Sequence, residues 1–153
     1  MTVEIRDATP ADQSLIVDFN SRLADETEGK ALDRALIEPG VTAILADAGK
    51  GRYWIAMIDG EPAGQIMVTY EWSDWRNGML WWIQSVYIPA KFRRQGVFSA
   101  LYARVESLVR ADPAACGIRL YVEKGNSRAQ DTYRNLNFTE PGYLVMETML
   151  PNE

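Results

Sequence analysis

Two turn signals near the middle of the chain constrain the fold more than any other feature. Asp59-Gly60 and Asn77-Gly78 each lie between stretches rich in β-branched and aromatic residues. Both dipeptides favour tight reversals, because Asp, Asn and Gly tolerate positive φ at the corners of a hairpin. The three flanking stretches lie at residues 53–58, 63–72 and 79–88. The pattern therefore predicts three consecutive strands joined by hairpins.

Periodicity predicts the elements on either side of these strands. Val3 and Ile5 alternate with charged neighbours as in a half-buried strand, and Thr9-Pro10 is a typical helix start. The predicted elements are a strand at 2–8, a helix from Pro10, a short helix at 30–37 that stops at Pro39-Gly40, the three strands, a helix at 96–110, a strand at 118–123, a helix at 126–136 and a strand at 143–150. The order β-α-α-β-β-β-α-β-α-β predicts an α/β (α+β) protein. A length of 153 residues suits one domain over residues 1–153.

The chain contains no histidine and a single cysteine, Cys116. Ser-His-Asp and Cys-His triads, histidine-ligated metals, intrachain disulfides and cysteine-clustered zinc sites are therefore excluded. Acid–base chemistry would fall to Asp, Glu, Tyr, Lys, Cys or water. We expect a protein that works without a metal.

The net charge of the chain limits the classes of partner that it is expected to bind. A net charge of −5 and an isoelectric point of about 4.8 would repel a phosphodiester backbone, which argues against nucleic acid and favours cationic small molecules. No apolar run approaches the roughly 20 residues that would span a bilayer. The N-terminal residues show no secretory signal pattern, so we expect a soluble, cytoplasmic protein without a membrane partner.

Residues 86–100 carry the chemistry most typical of a ligand site. They run from a strand through a basic turn into a helix, with Lys91, Arg93 and Arg94 before Gly96. Unpaired N–H groups at a helix N-terminus suit phosphate oxygens, and glycine lets the backbone approach them closely. There is no Walker motif and no G-x-G-x-x-G. On these residues alone, an anion site and a solvated basic turn are both open.

Two motifs in the second half of the chain follow a known pattern. Arg93-Arg94-Gln95-Gly96-Val97-Phe98 resembles the Arg/Gln-x-x-Gly-x-Gly/Ala signature of the GNAT acetyltransferase superfamily, with Phe98 where Gly or Ala is usual. Asn126-x-x-Ala129-x-x-x-Tyr133-x-x-x-Asn137-Phe138 is similar to a second signature of that family, with Asn137 in place of Gly. Asn also enters the left-handed conformation that ends a helix. Both motifs and the predicted element order follow the order of the family.

This resemblance implies a fold and a co-substrate. The fold would be a central mixed, mostly antiparallel sheet with helices on both faces, and the co-substrate would be acetyl-CoA. The backbone of Val86 and Ile88 would pair with pantetheine where the fourth and fifth strands splay apart, and Asn126 would touch the pantetheine arm. The residues implied to hold the pyrophosphate are Arg93, Arg94, Gln95, Gly96, Val97, Phe98 and Ser99.

The resemblance also assigns catalytic roles. Acyl transfer to an amine needs an oxyanion donor, a proton donor for the leaving sulfur and a base. The N–H of Val86 is the candidate oxyanion donor, and Tyr133, which would lie beside the sulfur, is the candidate acid. The fourth predicted strand contains no carboxylate, only Gln84 and Ser85 as polar candidates. The base is therefore either a carboxylate from elsewhere or an ordered water.

Acidic and aromatic residues suggest the acceptor. Glu26 and Glu28 would lie in the break between the first two helices, and Glu71 and Asp74 lie in a tryptophan-rich hairpin. With the net charge of −5, these features predict a small cationic amine. Solvated charges and cross-strand packing of the tryptophans are the alternatives. The candidate substrate-binding residues are Glu26, Glu28, Glu71, Trp72 and Gln84.

Two other functions fit the sequence. One is a non-catalytic sensor that binds acyl-CoA without an acceptor site. The other is an interaction module that uses the tryptophan-rich hairpin as a partner surface. Acetyl-CoA titration separates the second from an enzyme, and turnover with amines separates the first. A homodimer is compatible with the sequence but is not specified by it.

Overall fold

The computed structural model describes residues 2–151, which form two compact units divided after Tyr121. The first unit contains a sheet and three α-helices. Its strands are β1 (Val3–Asp7), β2 (Arg52–Ile58), β3 (Glu61–Ser73), β4 (Gly78–Tyr87) and β5 (Ala115–Leu120), and its helices are α1 (Gln13–Glu28), α2 (Arg34–Ala46) and α3 (Val97–Ala111).

The five strands form one sheet in chain order, β1-β2-β3-β4-β5. The first three junctions are antiparallel, whereas β4 and β5 run parallel. The mixed, mostly antiparallel sheet is thereby confirmed, as is the predicted element order as far as β5. Both predicted reversals are confirmed, since Asp59, Gly60 and Asn77 have positive φ of 49°, 77° and 48°.

Helices cover both faces of the sheet. On one face, α1 and α2 pack on Tyr53 and Ile55 of β2 in a buried apolar cluster. Side chains alternate between faces along a strand. Gly64 of β3 therefore points to the opposite face, where an added Cβ would lie 3.0 Å from Cγ1 of Val97 in α3. The α1 and α2 face and the α3 face are the two sides on which a site could form.

Capping fixes the start of α1, as the sequence predicts. The N–H of Thr9 donates to Oδ2 of Asp12 at 2.8 Å, and both terminal nitrogens of Arg6 donate to the same carboxylate, at 2.8 Å and 2.7 Å. These bonds, led by those from Arg6, lower the pKa of Asp12. The first turn, Pro10–Asp12, is a 3₁₀ turn, so the α-helix begins three residues later than predicted.

The predicted break between the first two helices is misplaced. Glu26 and Glu28 lie in the last turn of α1, which ends at Gly29 in the left-handed conformation. The second helix runs over Arg34–Ala46 instead of 30–37, with Pro39 inside it. Proline normally ends a helix because it lacks an N–H. Here Val41, beyond Pro39, is buried in the apolar cluster, and that packing outweighs the lost hydrogen bond.

The second unit contains one helix within residues 122–151, α4 (Ser127–Asn135). Asn126 caps it by accepting a bond from the N–H of Ala129 at 3.1 Å. Asn137 ends it with φ of 71°, which confirms that Asn here replaces Gly in the left-handed position.

Near the C-terminus, one predicted strand is wrong and another has shifted bounds. Residues 143–150 form no strand, because alternation shows which side chains would share a face but supplies no backbone partner. β5 lies at Ala115–Leu120 and not at 118–123, since pairing with β4 begins at Ala115. No helix among residues 2–151 is both long and apolar enough to cross a membrane.

Candidate active site

The C-terminal end of β4 extends beyond the part of the strand that pairs with β5. Parallel pairing between the two strands covers Met79 to Ile83, but β4 continues to Tyr87. The four residues from Gln84 to Tyr87 therefore have no β5 partner in the part of the chain that the structure describes. On its other side β4 stays paired with β3, where Val86 lies opposite Ile66. The side of β4 that faced β5 therefore carries backbone groups with no partner strand within the described residues from Gln84 onwards.

A β-bulge lies at the start of this opening. Met67 of β3 pairs with Ser85, and the next residue, Val68, pairs with Ile83, so Gln84 is one residue too many. Bulges bend a strand and increase its twist. Nε2 of Gln84 donates to Oγ1 of Thr69 at 2.9 Å. The bulge therefore bends β4 at the residue after its last pair with β5.

A buried polar network ties α1 to the sheet beside Ser85. Nε2 of Gln65 donates to Oδ1 of Asn20, and Nδ2 of Asn20 donates to the hydroxyl of Tyr53, both at 3.0 Å. Tyr53 is also hydrogen-bonded to Ser85, and burial, the largest effect, raises the pKa of the Tyr53 phenol. Gln65 is fully buried. Ser85, one of the two polar candidates on β4, therefore belongs to a structural network.

The loop before α3 is shaped to receive an anion. Arg94 and Gly96 both have left-handed φ, of 64° and 80°. Gly96 is the N-cap of α3 and provides no side-chain hydrogen bond to the first turn, whose N–H groups point out of the helix end. A Cβ added to Gly96 would meet no atom within 4 Å, so the space above the loop is open. Backbone amides in such a turn, at the positive end of a helix, suit phosphate oxygens.

Close packing sets the position of this loop. A Cβ on Gly64 would lie 3.0 Å from Val97, the first residue of α3, and 3.1 Å from the carbonyl of Tyr87. β3 therefore approaches both the end of β4 and the start of α3 as closely as a glycine allows. Phe98, at the unusual motif position, stacks on Tyr102 one turn along α3, with 6.1 Å between ring centroids.

Glu26 joins the loop to the end of β4. It accepts a hydrogen bond from the hydroxyl of Tyr87 at 2.5 Å and another from Nη2 of Arg93 at 2.6 Å. The bond from Tyr87, followed by that from Arg93, lowers the pKa of Glu26. Burial, followed by the bond to Glu26, raises the pKa of Tyr87. Nε of Arg93 donates to the carbonyl of Ile88 at 2.8 Å, so one backbone group predicted to meet pantetheine already has a partner.

The other predicted acids also have partners. Glu28 pairs with Lys30 at 3.4 Å, and Asp74 accepts a bond from the N–H of Trp75 at 3.0 Å. Glu71 accepts bonds from Nε1 of Trp82 at 2.7 Å and from Arg119 at 3.1 Å.

One face of the sheet gathers part of the predicted acceptor set. Thr69 and Glu71 share a face of β3, Trp82 lies opposite Thr69, and Gln84 bonds to Thr69. Alternation directs Trp72 to the other face, so the structure does not bring it together with Glu71. Met67 precedes Thr69 by two residues and packs on the α1 and α2 cluster, which identifies the shared face.

Arg119 and Tyr121 join this face and were missed by sequence reasoning. Arg119 lies beside Trp82 in the parallel β4–β5 register, with its guanidinium 5.9 Å from the indole centroid. The rings of Trp82 and Tyr121 are 4.6 Å apart. Arg119 lies opposite Trp82 because β4 and β5 pair in parallel, and the sequence pattern of either strand alone does not supply that register. Trp81, by contrast, is buried against Tyr70 and serves packing.

Asn126 and Tyr133 lie in the second unit. The carbonyl of the Asn126 side chain is used to cap α4, as described above. Tyr133 contacts Phe138 edge-on at 5.6 Å between ring centroids, and burial raises the pKa of its phenol. A phenol with a raised pKa stays protonated at neutral pH, as a proton donor must. Within residues 2–151 no group of three or more Cys, Asp or Glu side chains could hold a metal ion.

Comparison with known proteins gives a consistent result. Residues 17–138 match the sequence pattern of the acetyltransferase (GNAT) family. The structure of a possible acetyltransferase from Clostridium difficile 630 is 44% identical, covers 98% of this chain and 99% of its own, and has a TM-score of 0.90. No curated protein matches the sequence.

Two more distant structures share the fold. An aminoglycoside N-acetyltransferase in complex with CoA is 16% identical over 97% of this chain and 95% of its own, with a TM-score of 0.79. An aminoglycoside acetyltransferase from an uncultured soil metagenomic sample, in complex with sisomicin, is 13% identical over 97% and 95%, with a TM-score of 0.75.

Proposed function

The chain belongs to the acetyltransferase (GNAT) family and is an N-acetyltransferase, and we propose that it transfers the acetyl group of acetyl-CoA directly to a small cationic amine. The observation that carries the proposal is the opening beside β4 together with the uncapped start of α3. The opening beside β4 offers a strand edge that can pair with the amide groups of pantetheine. The start of α3 offers backbone amides that can bind the pyrophosphate of acetyl-CoA. We propose that residues 1–153 form this one domain.

The residues present fit acetyl-CoA. The space above Gly96 is open, and the first turn of α3 has no competing side-chain cap. The proposed pyrophosphate contacts are the backbone of residues 93–99 and the side chain of Arg94. The proposed pantetheine contacts are the backbone of Val86 and Ile88, with Asn126 in addition. The thioester supplies an acetyl group already activated for attack by an amine.

The proposed chemistry uses two groups of this chain. The N–H of Val86 donates to the negative charge that develops on the acetyl oxygen, because a fixed backbone donor needs no reorganisation. Tyr133 gives its proton to the leaving sulfur. The phenol is protonated at neutral pH, as this role requires, and burial raises its pKa further.

The proposed base is an ordered water. β4 carries no carboxylate, and Ser85 is held by Tyr53, whose own pKa is raised by burial. Glu26 is a poor base at neutral pH because bonds from Tyr87 and Arg93 lower its pKa. Water that removes the proton of an ammonium acceptor before attack is consistent with these constraints.

The cationic acceptor is supported by the aromatic residues on one face of the sheet, where a cation of the chain itself, Arg119, already pairs with Glu71 and lies 5.9 Å from the Trp82 centroid. The rings of Trp82 and Tyr121 offer aromatic faces of the kind that attract ammonium groups, worth about 0.5 to 2 kcal/mol. Glu71 anchors Trp82 there. The net charge of −5 favours cations at longer range. We propose a cytoplasmic enzyme that needs neither metal nor nucleic acid, with a homodimer left open.

A panel of amines tests the proposal. Acetyl-CoA and each amine are incubated with the protein in the presence of EDTA, and free thiol is measured against a blank without amine. Faster turnover with small cationic amines than with matched neutral or carboxylate-bearing amines supports it. Turnover restricted to neutral amines, anionic amines or hydroxyl compounds contradicts it. Saturable acetyl-CoA binding without turnover of any acceptor supports the sensor, and no binding leaves the interaction module.

A further inference from the structure

One carboxylate connects three elements of the first unit through two hydrogen bonds. Glu26 belongs to the last turn of α1, Tyr87 is the last residue of β4, and Arg93 opens the loop that leads into α3. Both oxygens of Glu26 are used, Oε2 by the Tyr87 hydroxyl and Oε1 by the Arg93 guanidinium. The link spans 61 residues of sequence to Tyr87 and 67 to Arg93, so local helix preference cannot have produced it.

The cluster is held on several sides. Tyr87 is only 4% exposed, and its ring packs on Phe19 of α1 at 5.4 Å between centroids. Arg93 also donates from Nε to the carbonyl of Ile88, which fixes its side chain at two points. A guanidinium bound at two points loses far less freedom on further organisation than a free one. Arg93 is therefore turned back onto β4 and α1.

This orientation separates Arg93 from a simple phosphate ligand. Two of its three side-chain nitrogens, Nε and Nη2, bond to the protein, while the open space lies at Gly96, three residues along the loop. The backbone at Arg94 is in the left-handed conformation, which non-glycine residues adopt at a cost. Additional contacts are needed to hold a loop that includes a strained residue. The two hydrogen bonds that Arg93 donates lie next to Arg94 and can provide them.

We propose that Glu26 is a positioning residue for acetyl-CoA binding: it holds Arg93 and the end of β4 so that the loop amides and the open strand edge keep their mutual geometry. The inference rests on the proposed function for its ligand. It assigns Glu26 to the cofactor side and not to the acceptor. It also makes the Arg93 side chain a structural brace for the loop.

Two alternative roles, one for Arg93 and one for Glu26, predict different effects on binding. If Arg93 were a phosphate ligand held back by Glu26, neutralising Glu26 would release the guanidinium and tighten acetyl-CoA binding. If Glu26 bound the amine, its loss would raise the KM for the amine alone. If Glu26 is instead a positioning residue, its neutralisation should weaken acetyl-CoA binding. The loop would lose its anchor, while every group that would touch the ligand is unchanged.

The decisive variant is Glu26→Gln, which keeps the size of the side chain and removes its charge. We expect the Kd and KM for acetyl-CoA to rise about fivefold, since the pair is half exposed and such pairs contribute modestly. kcat at saturating substrates and the KM for the amine should stay within about twofold of the parent. Calorimetry with CoA and steady-state kinetics measure these quantities.

Glu38→Gln is the matched control. Glu38 pairs with Arg34 at 2.9 Å, but both lie on α2, so the same loss of one carboxylate breaks no link between elements. This variant should bind CoA as the parent does. Tyr87→Phe, which keeps the ring and the Glu26–Arg93 pair, should weaken binding by about twofold. It provides a second measurement if Glu26→Gln fails to fold.

Arg93→Gln and the double variant complete the cycle. If Glu26 acts through Arg93, the double variant should bind CoA no more weakly than Arg93→Gln alone. Additive losses would overturn the inference, as would unchanged or tighter CoA binding in folded Glu26→Gln, or an increase confined to the KM for the amine. If the parent protein itself fails to bind CoA, the proposed function fails. Parent binding with an unaffected Glu26→Gln removes the inference alone.

Discussion

Replacing Gly96 with alanine separates the strain of the loop from its ligand contacts. The glycine has φ of 80° and ψ of 12°, and an added Cβ would meet no atom within 4 Å. Gly96→Ala therefore creates no clash in the free protein. Its cost is the left-handed conformation of a residue with a side chain, about 1 to 2 kcal/mol. For a chain of this size that corresponds to a fall in Tm of roughly 2 to 8 °C.

Binding should suffer more than stability. The new methyl group would enter the open space beside the first N–H groups of α3, where the diphosphate is proposed to lie. Losing a single charge-assisted hydrogen bond there would weaken CoA binding by at least about tenfold, because such a bond contributes roughly 1.5 to 3 kcal/mol. Calorimetry with CoA measures the affinity, and thermal unfolding measures the cost to the fold.

Gly60→Ala is the matched control for this substitution. Gly60 lies in the β2–β3 hairpin with φ of 77°, and an added Cβ there also meets nothing within 4 Å. The two variants should lose similar stability, yet Gly60→Ala should bind CoA as tightly as the parent. A folded Gly96→Ala protein with parental affinity would refute the anion site. Equal weakening in both variants would show that strain alone explains the loss.

Two further predictions address the acid and the start of α1. Tyr133→Phe should lower kcat by about a hundredfold, leave the Kd for acetyl-CoA unchanged and abolish any alkaline fall in rate that reports ionisation of the phenol, whose pKa is raised by burial; an unaltered kcat and pH profile would return Tyr133 to a packing role. Asp12→Asn should lower the free energy of unfolding by about 1 to 2 kcal/mol at neutral pH, because it breaks a partly exposed pair with Arg6. The pKa of Asp12 is lowered in the folded protein, so this contribution is complete above the unfolded value of about 3.9 and disappears as pH falls through the folded value. Denaturant unfolding at pH 7 and pH 2 should show the two proteins converging in acid, and a constant difference would contradict this assignment.

Local signals made most of the fold predictable. Asp59-Gly60 and Asn77-Gly78 determine reversals through their own backbone preferences, and Thr9 with Asp12 caps a helix within four residues. Pro39 misled because its effect is also local, whereas the burial of Val41 against the sheet is not. Alternation likewise identified the apolar face of residues 143–150 but could not supply a partner strand.

The candidate site divides in the same way. The shape of the proposed anion-binding loop could be predicted, because glycine and helix start lie together in the sequence. The partners of Glu26 and Glu71 could not, since each ion pair joins residues tens of positions apart. From the sequence alone, Glu26 and Glu71 would be interpreted as unpaired negative charges, but in the folded chain each forms an ion pair with an arginine. Pairing of this kind is a property of the topology and has no local signature.

The bend beside the opening depends on how many residues β4 contains, because the bulge is produced by one extra residue. Ser85 and Gln84 follow one another on the same side of the strand, so deleting Gln84 would leave Ser85, Val86 and Tyr87 on their present faces while removing the bend. A straight β4 would then lack the bend that follows its last pair with β5. Substitutions at Gln84 leave the count unchanged and so leave the opening in place. Shortening β4 at this position, by contrast, would remove the extra residue that bends the strand.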